Sequence, residues 1–373
     1  MNLNENIYKY IQDNKELLSK KTLEEQHKKS MEYLKENYKS KYIQDSIYNL
    51  EFLAISIRLD TPNIFFSYMK WLGSLMKNLN VKRNDMINYF DSINTVLLNN
   101  MTDYFEKKYK ESIISILSTY FIDSIEYFTK EYDKKIDAND MNNCSVIKNY
   151  ESDNNIFLEY LLNLKKDKAI DFVLTKLDKN KNPKDIYMNI LQPTLYNVGL
   201  LWEKNIITPA KEHYITAVIQ NIIALMYPHI FDLNIESKDK SMFGVCAGKE
   251  LHELGIRMVC DFFEMDGWDT TYLGANLPIE SVIEELKIYK PNLIAISTTL
   301  VINLGYTLDL IKRIKEEDEL KEVLIFIGGK FLNECEGVVD SINVDGYGKD
   351  AIETLKIANK MVGDVKDGLQ LSR

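Results

Sequence analysis

Cysteine is scarce in this chain and badly spaced for metal. The four cysteines among 373 residues stand at 144, 246, 260 and 335, and no two have CxxC spacing. That excludes a zinc ribbon or a thioredoxin-like pair. Cys246 and Cys260 have apolar neighbours and read as small buried residues. Positive charge is also short, with 46 Lys and Arg against 56 Asp and Glu and a net charge of -10. A surface that tracks nucleic-acid phosphates needs a basic patch, so direct DNA binding is not expected. No uninterrupted apolar run of membrane-spanning length occurs. The first residues, Met1-Asn2-Leu3-Asn4-Glu5-Asn6, show neither a basic nor an apolar leader region. No membrane is expected, and the expected location is the reducing cytoplasm. Glycine is nearly missing from residues 1–135, where only Gly73 occurs.

What is present there is helical periodicity. Apolar residues recur at spacings of three and four, as in Leu50, Leu53, Ala54 and Ile57. Thr61-Pro62 reads as a helix start, and Ile64, Phe65, Tyr68, Met69, Leu72 and Leu75 follow it. Asn84-Asp85 opens another helix, and a longer amphipathic segment carries Ile113, Ile116, Leu117, Tyr120 and Phe121. The apolar stripes predict a core or a dimer face, so a second copy of the chain is kept as a partner. Residues 136–154 turn polar and read as a linker.

Residues 155–231 predict four helices, at about 155–165, 167–179, 184–204 and 209–227, with starts at Asn182-Pro183 and Thr208-Pro209. Short connections make this an antiparallel bundle. After a polar stretch, Asn234 to Lys240, the period changes at 241. Strands at Met242–Ala247, Asp269–Leu273, Leu293–Ser297, Val323–Ile327 and Asp345–Tyr347 alternate with helices Leu254–Met265, Ile279–Tyr289 and Leu304–Glu317. Such alternation predicts a doubly wound parallel sheet over 241–362. The fold class is therefore α and α/β, in three domains: 1–135, 155–231 and 241–362.

Ligands of an open α/β sheet bind at the carboxyl ends of its strands. The loop after the first strand holds Glu250, His252 and Gly255. The third strand ends at Ser297-Thr298-Thr299 and the fourth at Gly328-Gly329. Imidazole is the commonest biological metal ligand, and a carboxylate two residues before it can hold its second ring proton. A glycine at 255 leaves room beside the helix start, Ser297 offers a hydroxyl, and Gly328-Gly329 lets backbone approach a flat ligand closely.

Glu250-x-His252-x-x-Gly255, Ser297-x-Thr299 and Gly328-Gly329 together resemble the cobalamin-binding signature Asp-x-His-x-x-Gly, Ser-x-Leu, Gly-Gly. The gaps, 41 residues from Gly255 to Ser297 and 28 from Thr299 to Gly328, suit that family. Glu250 stands for the usual Asp and Thr299 for the usual Leu. The resemblance implies a Rossmann-like domain that binds cobalamin in the base-off, His-on mode. His252 is then the metal ligand on the lower face of cobalt, and the nucleotide tail is buried beside the first strand and Ser297.

The helical bundle carries a second resemblance. Nine residues separate Trp202 from Glu212-His213. That spacing resembles the cobalamin cap of CarH-type, light-sensing regulators, in which Trp and Glu-His pack on the 5′-deoxyadenosyl group. An indole suits an adenine face, and a carboxylate can accept ribose hydroxyls. Read alone, Trp202 is also an ordinary core residue and Glu212 a first-turn anion that suits the helix dipole. Glu203 follows Trp202 where CarH-type proteins often have a second cobalt-ligating histidine. No helix-turn-helix with a basic recognition helix precedes the bundle. The expected function is an adenosylcobalamin sensor, light-responsive, that signals through its N-terminal helices to a protein partner. The alternative is a corrinoid methyl carrier of a methyltransferase system, with methylcobalamin.

Overall fold

A computed structural model describes the chain except for residues 1, 30–35, 135–151, 180–181, 232, 234, 336 and 369–373. Cys144 and most of the expected linker lie outside the described residues. The chain divides into two units. One holds residues up to Lys134 with Thr298–Asp309 and Lys330–Asn343, and the other holds the remainder.

The first unit is helical, built from α1 (Leu3–Lys29), α2 (Glu36–Arg58), α3 (Pro62–Asn78), α4 (Arg83–Tyr104) and α5 (Lys110–Asp133). Its core is aromatic and aliphatic, with Phe65, Phe90, Phe121 and Phe128 all buried among Ile and Leu. Fully burying each such side chain contributes about 1.5–3 kcal/mol. Pro62 opens α3 as the sequence predicts, but Thr61 makes no side-chain cap. Its hydroxyl instead bonds Leu59 O (3.0 Å) and pairs with Ser341 Oγ (3.2 Å). Gly73 has a packing reason. A Cβ there would meet Phe128 O at 2.7 Å, so a larger residue would push α3 away from α5. Within the same unit Arg58 pairs with Glu5 (2.9 Å) and Asp309 (2.7 Å), with its guanidinium 4.4 Å above the Tyr8 ring.

The second unit contains the four-helix cap. Its helices are α6 (Asp153–Leu162), α7 (Lys166–Asp178), α8 and α9 (Pro209–Phe231). α8 starts as Pro183–Ile186, widens to a π-turn at Tyr187–Leu191 and continues as Gln192–Glu203. The Asn182 side chain accepts from Lys184 N (2.9 Å), and Thr208 Oγ1 accepts from Lys211 N (3.3 Å), so both expected starts are capped. By length and composition α9 could cross a membrane. Its apolarity serves the cap core, where Ile215, Ile219, Ile222, Ile223 and Met226 are buried.

The sheet is parallel with order β2-β1-β3-β4-β5. The strands are β1 (Ser241–Cys246), β2 (Asp269–Gly274), β3 (Leu293–Ser297), β4 (Leu324–Gly328) and β5 (Gly346–Tyr347). The fold class is the one the periodicity predicts, a helical N-terminal region, a helical cap and a doubly wound sheet. The helix after β1, α10 (Leu254–Glu264), belongs to the cap as much as to the sheet. Leu254, Met258, Phe262 and Met265 enter the cap core, while Ile256, Cys260 and Phe263 pack toward the strands. Gly244 on β1 permits that approach, because a Cβ there would lie 2.3 Å from Cys260 Sγ.

Candidate functional site

The register of the sheet brings the separated motifs together. Cys246, the last residue of β1, pairs with Ser297 on β3, which pairs with Gly328 on β4. Ala247 N donates to Ser297 O (3.2 Å), so the first and third strands are tied at their carboxyl ends. Ser297 is buried, and Gly329 takes φ +129, a conformation glycine adopts without strain. Thr299 falls in the other unit, in the segment that follows Thr298.

From β1 the chain turns at Gly248 (φ +56) and Glu250 N bonds back to Ala247 O (3.1 Å). This turn buries the Glu250 carboxylate completely, at 0 % exposure. Its Oε1 accepts from His252 N at 3.1 Å and lies 2.5 Å from His252 Nδ1. A buried carboxylate needs such partners. With Nδ1 donating to Glu250, the lone pair stays on Nε2 of a side chain that is 56 % exposed. Cys246 Sγ donates to His252 O (3.8 Å), and burial pushes the Cys246 thiol up, out of reach as a thiolate ligand. Gly255 lies in the first turn of α10, where a Cβ would meet nothing within 4 Å.

These residues fit a corrinoid. Among the described residues no group of three or more His, Cys, Asp or Glu side chains could cage a bare ion. A metal on His252 would therefore bring its other ligands with it, as the cobalt of a corrin does. The buried carboxylate behind one imidazole and the open space at Gly255 match that need.

The cap places its expected residues at one turn. Trp202 lies in the last turn of α8 and is 46 % exposed. Glu212 and His213 open α9, with His213 Nδ1 2.5 Å from Glu212 Oε2 and Thr216 Oγ1 donating to Glu212 Oε1 (2.8 Å). The His213 side chain is 80 % exposed.

Sequence reasoning missed the polar ties between cap and α10. Asp261 is buried, accepts Tyr187 Oη at 2.5 Å from the π-turn of α8, and accepts Tyr227 Oη at 2.9 Å from α9. Burial raises the Asp261 carboxyl above its ordinary range, although the two hydroxyls and Arg257 pull the other way. Burial beside Asp261 likewise pushes the Tyr227 hydroxyl up to about 12. The only sequence signal was an acid inside the apolar run Met258-Val259-Cys260-Asp261-Phe262-Phe263. Glu253 was also missed. It accepts Gln220 Nε2 (3.0 Å) and Tyr272 Oη (2.6 Å).

Residues 241–356 and 155–227 match two family models, each described as a B12 binding domain. "Dimethylamine corrinoid protein 1" of Methanosarcina acetivorans is 25% identical over 200 residues, 52% of this chain and 91% of that protein. "Trimethylamine corrinoid protein 2" of the same organism is 26% identical over 114 residues, 30% of this chain and 52% of that protein. The solved monomethylamine corrinoid protein of Methanosarcina barkeri superposes with a TM-score of 0.51 at 20% identity, over 57% of this chain and 99% of that one. At that identity the superposition speaks for the fold alone.

The relatives overturn the light-responsive adenosylcobalamin sensor expected from Trp202, Glu212 and His213, since they are named corrinoid proteins of methylamines. The spacing reflects where one cap helix ends and the next begins. Trp202 and His213 are both open to solvent. What the motifs, the fold and the family models agree on is coarser and firm: the chain is a cobalamin-binding protein, with a helical cap over 155–227 and a parallel sheet domain over 241–356.

Proposed function

We propose that the chain is the corrinoid component of a methyltransferase system, a methyl carrier that acts between protein partners. The observation that carries the reading is His252, braced by a fully buried Glu250 where β1, β3 and β4 end together. The relatives named for di- and trimethylamine support a small methylated amine as the source of the methyl group, with methylcobalamin as the loaded form. When bound, the corrin cobalt supplies the centre that accepts and releases the methyl group.

The chain's residues do the rest. Glu250 holds the proton on Nδ1 of His252 and so would present Nε2 to a bound cobalt. A carboxylate partner would make that nitrogen a better donor to a bound metal. Ser297 and the Gly328-Gly329 backbone, together at the ends of β3 and β4, would receive the ligand. Trp202, Glu212 and His213 at the turn between α8 and α9 would be the cap's contribution to holding the group. Their exposure suits a site that a methyltransferase must reach. The partner proteins are then methyltransferases, and the N-terminal helices of 1–134 offer them a further docking surface.

The test is reconstitution of the full chain with methylcobalamin. The expected outcome is a base-off, His-on absorption spectrum that His252→Ala abolishes, and transfer of a labelled methyl group from a methylamine in the presence of a methylamine methyltransferase. Binding equally tight in His252→Ala would overturn the ligand assignment. Tight His-on binding without transfer from any of the three methylamines would overturn the substrate class.

A further inference from the structure

Three elements of the second unit meet on one carboxylate beside the proposed cobalt ligand. Glu253 follows His252 by one peptide bond and stands at the head of α10. Its Oε1 accepts from Gln220 Nε2 on cap helix α9 at 3.0 Å. Its Oε2 accepts from Tyr272 Oη on β2 at 2.6 Å. Burial and the bond to Glu253 both push the Tyr272 hydroxyl up, so it stays a donor at any working pH. Gln220 is a neutral amide in the middle of an apolar helix, five residues after Ile215 and just before the buried pair Ile222 and Ile223. Its side-chain amide reaches out of its own helix to the histidine loop.

We propose that Glu253 is a positioning residue that ties the closed position of the cap to the seating of His252. The inference rests on the methyl-carrier reading, which requires the cap to move aside for a methyltransferase. The geometry gives the coupling a direction. With the cap closed, Gln220 and Tyr272 hold the carboxylate from two sides. The peptide joining Glu253 to His252 is then fixed, as is the ring that Glu250 braces from behind. When α9 lifts, Gln220 leaves, and a side-chain restraint on that peptide goes with it, as does the packing of Leu254 in the cap core. The histidine is then freer to leave the metal in the same movement that opens the opposite face. Tyr272 and Glu250 stay, so the loop is loosened and not lost.

The arrangement can be inverted without loss of a bond. In Gln220→Glu alone, two carboxylates meet across 3.0 Å and the cap is pushed open. Adding Glu253→Gln restores an amide-to-carboxylate bond with donor and acceptor exchanged, and the new amide oxygen can still accept from Tyr272. A residue that merely stabilises the fold gives no reason for such a rescue to reach the metal.

The experiment uses the full chain loaded with hydroxocobalamin and reduced to Co(II). It reads the nitrogen splitting of the electron paramagnetic resonance signal, which reports an axial imidazole, together with the Co(II)/Co(I) potential. Gln220→Ala and Gln220→Glu should lower the ratio of His-on to His-off cobalt by about tenfold, the size of one lost bond to a charged group. The potential should shift to less negative values with it. The exchanged pair should return both readings toward the wild type. Wild-type readings in both single variants, or failure of the exchanged pair to restore them, overturns the role of Glu253. A wild type that binds cobalamin without any nitrogen splitting overturns the His252 assignment itself, and this inference with it.

Discussion

The loop after β1 and the turn that opens α9 each set a histidine against a glutamate, with the same 2.5 Å between Nδ1 and a carboxylate oxygen. The pairs differ in what surrounds the acid. Glu250 has 0 % of its side chain exposed, while Glu212 keeps 30 %. A carboxylate cut off from water depends on its donors, and those donors are then held in place. A half-wet pair exchanges with water at almost no cost. Identical short-range geometry therefore makes a rigid brace at His252 and a loose contact at His213.

The sharpest way to break this comparison is to remove each acid in turn. Glu250→Ala should weaken cobalamin binding by about 10–100-fold, the usual cost of losing the group behind a ligating histidine. Glu250→Gln should fall between, since it keeps the shape and loses the charge. Glu212→Ala should change affinity by less than about threefold, as expected for an exposed pair. Titration of the chain with hydroxocobalamin, followed by absorbance, gives all three. Equal losses at 250 and 212 would end the distinction.

Glycines sharpen the same contrast between fold and site. Gly244→Ala places a methyl group against Cys260 and should cost about 1–3 kcal/mol of stability in urea unfolding, as overpacking does. Gly255→Ala meets nothing in the empty protein. It should leave ligand-free stability within about 0.5 kcal/mol, as for an open surface position, and reduce cobalamin affinity instead. A large stability loss in Gly255→Ala would move that residue from the site to the fold.

The histidine loop was legible in the sequence because its chemistry is local. Glu250, His252 and Gly255 lie within six residues, and strand periodicity places Ser297 and Gly328 at neighbouring ends. Helix starts at Asn182 and Thr208 were legible for the same reason, since a cap involves residues two or three apart. Thr61 was not a cap because Ser341, far along the chain, competes for its hydroxyl. Contacts that close over long separations left little trace. Gln220 and Glu253 are ordinary polar residues until the fold joins them, and the π-turn that aims Tyr187 at Asp261 has no composition of its own. The cap spacing misled for a related reason. Trp202 to Glu212 is the length of a helix end, a turn and a helix start, and that length does not specify what sits above the cobalt.

The tie between α10 and the cap gives a smaller test, through pH. Tyr187→Phe should cost about 1.5–3 kcal/mol, because it strips a buried carboxylate of its short hydroxyl bond. Asp261 itself sets the pH dependence. Its folded pKa is raised by burial above the ordinary 3.8, so the folded state binds the proton more tightly than the unfolded chain does. Stability from this group is thus full below the unfolded value and is lost as pH rises through the raised folded one. Asp261→Asn keeps the shape and does not titrate. The stability of the wild type relative to Asp261→Asn should therefore be greatest near pH 3.5 and should fall toward about pH 7, by roughly 1.4 kcal/mol for each unit by which burial raises the carboxyl. Urea unfolding at several pH values measures it. A difference that grows with pH would mean that the hydroxyls and Arg257 outweigh burial, and that Asp261 is held as a carboxylate.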